Sequence, residues 1–233
     1  MTNPTRIRPF TAMKAMRRLI ADAERTEEVF TIVQALSGNS LERGYRRFRR
    51  TTVGHDVLAS QRNLIDRLAD TETLRALPDH SLGRAYLAFM ESENLRADGL
   101  VDASANRDRQ SKDPGLALYA ARLRDMHDLM HVTTGYGRDT FGELCLLAFT
   151  FAQTRNRGIG FIVLMGAANQ RKTRGNGVLS AVWQAFLAGR RSAWLPAENW
   201  EQRLSQPLDV VRREFGINPP SNYVETRQQW ATA

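Results

Sequence analysis

Residues 113–151, DPGLALYAARLRDMHDLMHVTTGYGRDTFGELCLLAFTF, decide how this chain folds. Leu116, Tyr119, Leu123, Met126 and Met130 place apolar side chains at the three-to-four-residue period of one helix face. Pro114 stands where a first helical residue belongs, with Asp113 ahead of it as cap, and Gly135 and Gly137 end the run. Past the glycines, Thr140 and Glu143 have the spacing of a capping box, and Leu144, Leu147, Ala148 and Phe151 resume the helical period. Two helices joined by so short a turn are expected to be antiparallel neighbours.

Outward from this pair the same period holds almost everywhere, and no stretch shows sustained strand-like alternation, so the fold class is all α. Met13, Met16, Leu19 and Ile20, then Val29, Ile32, Val33 and Leu36, predict two helices before residue 37, with Thr26 capping the second. Arg43 to Arg50 reads as a basic loop. Leu58 to Leu68 and Ser81 to Met90 read as helices on either side of a turn at Leu77 and Pro78. Residues 96–113 are polar and aperiodic, an exposed connection. Further helices are predicted over Val178 to Leu187 and Ala197 to Phe215, and a tail from about 218 to 233. With 233 residues, 42% of them hydrophobic, one domain spanning 1–233 is sufficient, a helical bundle around the central hairpin.

The formal charge of +8 favours an anionic partner. The basic residues are dispersed through amphipathic helices and belong to no nucleic-acid module, so a nucleic-acid partner is excluded in favour of an anionic membrane surface or an acidic ligand. Cys145 is the only cysteine and lies in an apolar helical pattern, which rules out a disulfide framework and suits a reducing compartment. The longest apolar run, Ile159 to Ala168, is short of the roughly 20 residues a spanning helix needs. The start of the sequence lacks the pattern of a cleaved signal.

His127 and His131 are four apart, about 40° around a helix axis and one turn along it, a spacing that suits one metal ion. Asp128 falls at the edge of that face, as a ligand or as a group that orients one. Glu143 comes after the glycine turn, early in the returning helix, from which it could meet the imidazoles across a shared ion. A plain polar face and a capping-box glutamate account for the same residues. What favours the metal is concentration, since two of the four histidines lie here beside two carboxylates. Nitrogen and oxygen donors fit zinc, and iron, manganese or cobalt as well.

Arg124 lies about 60° from His127, where its guanidinium could pair with a substrate carboxylate or remain an ordinary solvated arginine. Tyr136 and Arg138, on the turn, could gate the site or be plain turn surface. His55 and Asp56 form a second His-Asp pair that raises a scattered-ligand phosphohydrolase, and the Asp after His127 fits a zinc protease poorly, because those sites place a glutamate there. Gly158 to Ala168, followed by Gln170, Arg171, Lys172 and Arg174, reads as a buried helix or as a greasy groove with a basic mouth. The N-terminal stripe with Arg6, Arg17 and Arg18 could rest on anionic lipid, though core packing explains it too.

The motif His127-Asp128-Leu129-Met130-His131, eleven residues and then Glu143, closely resembles that of the coenzyme Q biosynthesis protein four family. The likeness extends to Arg17-Arg18-Leu19-Ile20, to Leu82-Gly83-Arg84-Ala85-Tyr86-Leu87 with Phe89-Met90, and to Thr134-Gly135-Tyr136-Gly137. It ends on Glu214-Phe215-Gly216-Ile217 with Pro219 and Tyr223, so that roughly residues 10 to 225 are covered. The resemblance implies an all-helical homodimer on the cytoplasmic face of a bacterial inner membrane that serves ubiquinone synthesis. By the same resemblance, His127, Asp128, His131 and Glu143 are metal ligands and the other pathway enzymes are partners; Arg124, from its place on the histidine side of the helix, and Glu143 are the candidates for catalysis, with Arg124 orienting the substrate carboxylate. The implied activity is loss of the C1 carboxylate from a polyprenylated hydroxybenzoate, coupled to hydroxylation. The rival expectation is a prenyl-lipid-binding scaffold for the pathway enzymes, with a structural metal.

Overall fold

The computed structural model describes residues 7–22, 25–93 and 113–232, the Thr26 side chain excepted. The regular structure among them is helical, apart from an isolated antiparallel bridge between Ser81 and Pro207. The expected connection at 96–113 lies outside the described residues except for Asp113. The chain divides into two compact units, one of Met1–Leu41, Gly135–Ser192 and Pro219–Ala233, the other of Glu42–Thr134 and Ala193–Asn218. Neither is continuous, so no linker marks them in the sequence.

The first unit contains α1 (Pro9–Ala21), α2 (Thr26–Leu36), α9 (Thr140–Thr154), α10 (Arg157–Arg174), α11 (Gly177–Arg191) and α14 (Ser221–Ala231). Ala12, Ala15 and Met16 of α1 close against Ile32 and Ala35 of α2 and Ile162 of α10. Burial of a side chain such as Met16 or Ile32 contributes roughly 1.5–3 kcal/mol. Arg18 pairs with Glu28 through two hydrogen bonds, tying α1 to α2.

Thr140 does not cap α9 as the capping-box reading proposed. The cap is Asp139, in extended conformation, whose Oδ1 accepts from the N–H groups of Phe141 and Gly142 at 3.1 Å each. With the cap one residue earlier, the Glu143 N–H that a capping box would offer to Thr140 instead donates to the Asp139 carbonyl at 2.9 Å. Gly135 takes φ +77°, a left-handed conformation that favours glycine, and a Cβ on Gly142 would run into the carbonyl of Gly137. The C-terminal stretch read as a tail is helix: Tyr223 of α14 accepts from Gly137 N–H at 3.0 Å and donates to Asp139 Oδ2 at 2.8 Å, bracing the turn. Likewise, α2 begins at Thr26 with Arg25, not Thr26, in the cap position.

The second unit contains α3 (Ser40–Phe48) from Glu42 onward, α4 (Thr52–Ser60), α5 (Leu64–Leu68), α6 (Thr71–Ala76), α7 (Leu82–Ser92), α8 (Pro114–Thr134), α12 (Trp200–Arg203) and α13 (Leu208–Phe215). The basic stretch from Arg43 is therefore mostly helix, not loop. Its arginines alternate with Tyr45 and Phe48, whose rings pack on Tyr119 of α8 at 6.2 and 5.0 Å between centroids. The helix read over Leu58 to Leu68 breaks where Gln61 turns left-handed at φ +53°, and Ala197 to Phe215 divides further: Ala197 ends a short 3-10 helix (Leu195–Ala197), α12 stops at Arg203, and α13 starts at Leu208 with Pro207 in the cap position. Asp113 caps α8 as expected, its Oδ1 accepting from Gly115 and Leu116 N–H at 2.9 and 3.1 Å.

Two arginines fix α8. Arg122, 2% exposed, donates from Nη1 and Nη2 to the Glu201 carboxylate at 2.8 and 3.0 Å and from Nη2 to the Glu198 carbonyl at 2.7 Å. At the other end, Arg212 of α13 donates from Nε and Nη2 to the carbonyls of Thr133 and Val132, both at 2.9 Å, satisfying acceptors that a helix terminus leaves open.

Candidate metal centre

Because α8 is regular through residues 127–131, the spacing of its donors converts directly into proximity. One donor atom from each of His127, Asp128 and His131 lies within 4.8 Å of the other two, the only such group of three or more metal-type side chains among the described residues. The two imidazoles meet edge to face, 4.9 Å between centroids. His131 is 1% exposed and Asp128 8%, so both are held away from bulk water, while His127 is half-buried. Buried imidazole and carboxylate are costly groups that a cation would compensate, and their chemistry suits a divalent ion of the zinc type. The donor set present therefore fits the expected metal.

The surroundings of the trio hold groups that sequence reasoning left without a role. Phe89 of α7 stacks on the His131 ring, 5.6 Å between centroids at 23°, which restricts the plane the imidazole can take. Tyr86, one turn earlier, is buried. Burial first, and then the carboxylates of Asp128 and Asp125, push its hydroxyl above the ordinary tyrosine range, so it stays protonated. Asp125 receives Arg124, whose Nε donates to Asp125 Oδ1 at 2.9 Å. With its side chain only 11% exposed, Arg124 is not a solvated surface arginine. A helical signal existed for these residues, since Tyr86 and Phe89 are three apart and Arg124-Asp125 directly precedes the histidines, but their partners lie on another helix or at adjacent positions that periodicity ignores.

Glu143 belongs to the other compact unit, in the first turn of α9, where Arg138 Nε lies 3.9 Å from its Oε1. Tyr136 is 3% exposed and meets Tyr223 edge to face at 5.4 Å, so it is a core residue of that unit and not turn surface. Arg138 is exposed. His55 and Asp56 are an exposed pair on α4, 3.8 Å apart, and neither belongs to the donor group, which leaves the phosphohydrolase reading without a site among the described residues. Gly158 to Ala168 forms a half-buried portion of α10, with Leu164 67% exposed. Cys145 is buried, and burial raises its thiol well above the ordinary range, so it is unreactive as a thiolate. No described helix is long and apolar enough to cross a membrane.

Residues 5–221 match the family model described as coenzyme Q (ubiquinone) biosynthesis protein Coq4. Among similar proteins is the mitochondrial ubiquinone biosynthesis protein COQ4 homolog of Anopheles gambiae, 26% identical over 202 residues, which are 85% of this chain and 69% of that one. The homolog of Rattus norvegicus is 29% identical over 174 residues, 74% of this chain and 63% of its own length. The fold is shared with the crystal structure of a Nostoc punctiforme protein that bears a provisional ubiquinone-biosynthesis name. That match has a TM-score of 0.65 at 18% identity and covers 91% of this chain and 99% of the other.

Proposed function

Because the chain belongs to the Coq4 family of coenzyme Q (ubiquinone) biosynthesis proteins, we propose that it removes the C1 carboxylate of a polyprenylated hydroxybenzoate at a membrane surface, in a reaction coupled to hydroxylation of that carbon. The observation that carries this reading is the convergence of the His127, Asp128 and His131 donors on a well-buried stretch of one helix. These three would hold a divalent ion, zinc by preference and iron, manganese or cobalt by the same donor chemistry. Glu143 is proposed as fourth ligand on the spacing of the motif alone. Bound there, the ion would supply Lewis-acid stabilisation for negative charge developing on the ring or its oxygens.

The chain's own residues supply orientation. Asp125 grips one edge of Arg124, and a guanidinium held in this way is preorganised to orient a carboxylate on the ring. Phe89 limits rotation of the His131 imidazole. Tyr86 remains a proton-bearing donor at neutral pH. Exchange of carboxylate for hydroxyl oxidises the ring carbon, and since zinc accepts no electrons, dioxygen or another redox partner must do so. In a bacterium the site of action would be the cytoplasmic face of the inner membrane, with a second copy of the chain and the other ubiquinone enzymes as partners.

A second reading, a non-catalytic prenyl-lipid-binding scaffold with a structural metal, is favoured by the exposed Leu164 and Trp183, at 67% and 61%, which offer contact surface away from any chemistry. The deciding experiment incubates purified protein of measured metal content with the prenylated carboxylated ring and oxygen, and follows the decarboxylated, hydroxylated product by mass spectrometry. Product from wild type and a loss of about 100-fold or more in His131→Ala, together with its metal, is expected for a ligand to the ion. No product under several metals rejects the decarboxylase reading in favour of the scaffold. Unaltered turnover in His131→Ala rejects the site and keeps the activity.

A further inference from the structure

Helix α1 carries two apolar stripes, and the core uses only one. Ala12, Ala15, Met16 and Leu19 face α2 and α10. The other stripe looks outward: Phe10 is 90% exposed, Met13 39% and Ile20 42%. Lys14 and Arg17 are exposed between them. At roughly 100° per residue, positions 10, 13, 14, 17 and 20 fall within about 120° of arc, on the side of the helix opposite the buried stripe.

The charge on this face is of one sign. The helix, PFTAMKAMRRLIA, contains no acidic residue. Its third basic residue, Arg18, is taken up by Glu28, and the first acid beyond the helix, Asp22, pairs with Arg25 at 3.2 Å. Lys14 and Arg17 make no ion pair among the described residues, so their charge is presented outward. A large aromatic held almost wholly in water is an unfavourable arrangement unless something apolar covers it. Aliphatic and aromatic side chains alternating with cations, on a helix lying flat on its own unit, match the boundary between the acyl chains and the headgroups of an anionic bilayer. Apolar tips can enter there, while lysine and arginine reach phosphate.

We propose that the outer face of α1, through Phe10, Met13 and Ile20 with Lys14 and Arg17, is the surface by which this protein docks on anionic lipid. The proposal deepens the membrane-surface reading above, and its test separates the two. Full-length protein is sedimented with vesicles of phosphatidylcholine, with and without phosphatidylglycerol, at low and high salt. Wild type is expected to bind the phosphatidylglycerol vesicles at least tenfold more tightly, roughly, with the preference shrinking in salt. Phe10→Glu is expected to weaken binding by about tenfold or more, and Lys14→Glu with Arg17→Glu to remove the salt-sensitive part. Val224→Glu, on an exposed apolar side chain of α14, should leave binding unchanged.

Thermal melting checks that each variant is folded, and Phe10→Ser serves should Phe10→Glu misfold. Binding by wild type that survives in both Phe10 variants and in the charge-reversal variant overturns the assignment of this face while sparing membrane association. So does binding lost only in Val224→Glu. Failure of wild type to bind any vesicle overturns both. A wild-type dimer that Phe10→Glu converts to monomer, without vesicle binding, gives the face to a second copy and overturns the proposal.

Discussion

The two units treat polarity in opposite ways. In the unit built around α8, charged and titratable side chains go inside: Arg122, Asp125, Asp128 and His131 are each less than a tenth exposed. In the other unit, apolar side chains go outside, and all the large exposed hydrophobic residues found among the described residues, Phe10, Leu164 and Trp183 foremost, belong to it. Hidden charge is tolerated only where it is paired or ready to bind an ion, and displayed hydrocarbon only where a surface will cover it. The contrast is thus one of buried charge in one unit and displayed hydrocarbon in the other.

The strongest challenge to this contrast is removal of a buried partner. Arg122→Ala leaves the Glu201 carboxylate uncompensated and is expected to cost about 3–5 kcal/mol, read as a lower midpoint in urea unfolding. A loss within about 0.5 kcal/mol, the usual range for a surface change, would show that the interior does not depend on the pair. The same pair has a signature in acid. Burial, the largest single influence, raises the Glu201 carboxyl, but the hydrogen bonds and the positive charge of Arg122, helped by a backbone hydrogen bond and Arg62, together outweigh it and hold the group below its ordinary value. A folded-state pKa below the unfolded one, about 4.3, gives stability that is complete above that pH and lost as pH falls through the lower folded value. Urea midpoints should therefore fall more steeply below pH 4.3, roughly, in wild type than in Arg122→Ala.

Arg212→Ala removes two charged hydrogen bonds from the end of α8 and is expected to cost about 1.5–3 kcal/mol. Because those carbonyls directly follow His131, metal affinity measured by chelator competition should fall as well, and an unchanged affinity would mean the helix end holds itself. Phe89→Leu keeps volume but loses the stacked ring, and a metal affinity about 2- to 10-fold weaker is expected, in line with the worth of one aromatic contact. The smallest effect belongs to the apolar surface. Leu164→Ser should change stability by no more than about 0.5 kcal/mol, since the side chain is already in water. A larger drop in thermal midpoint would mean that this surface is a misread core.

The donors were legible because they are local. His127, Asp128 and His131 occupy one helix, and helical geometry alone brings positions i, i+1 and i+4 within reach of one ion. Asp113 as cap, Pro114 at the first turn and Gly135 as terminator follow from the conformational limits of single residues. Where a local rule has two solutions, spacing does not choose between them. Thr140 and Asp139 were both acceptable caps, and the arginines of α3 concealed the helical spacing of Tyr45 and Phe48. On α1, the sequence presents apolar residues around most of the helix, and nothing in the spacing states which stripe will be covered.

By itself, then, the sequence determined that the chain is helical, where α8 starts and stops, and which side chains of that helix can gather round a cation, since each depends on hydrogen bonds and torsions within a few residues. Tertiary structure decided the rest: that Arg122 meets Glu201 across 79 positions, that Arg212 closes α8, and that Phe10 looks outward while Met16 looks in. Burial and ion pairing are properties of neighbours in space, and a helix has the same local geometry whichever of its faces those neighbours choose to cover.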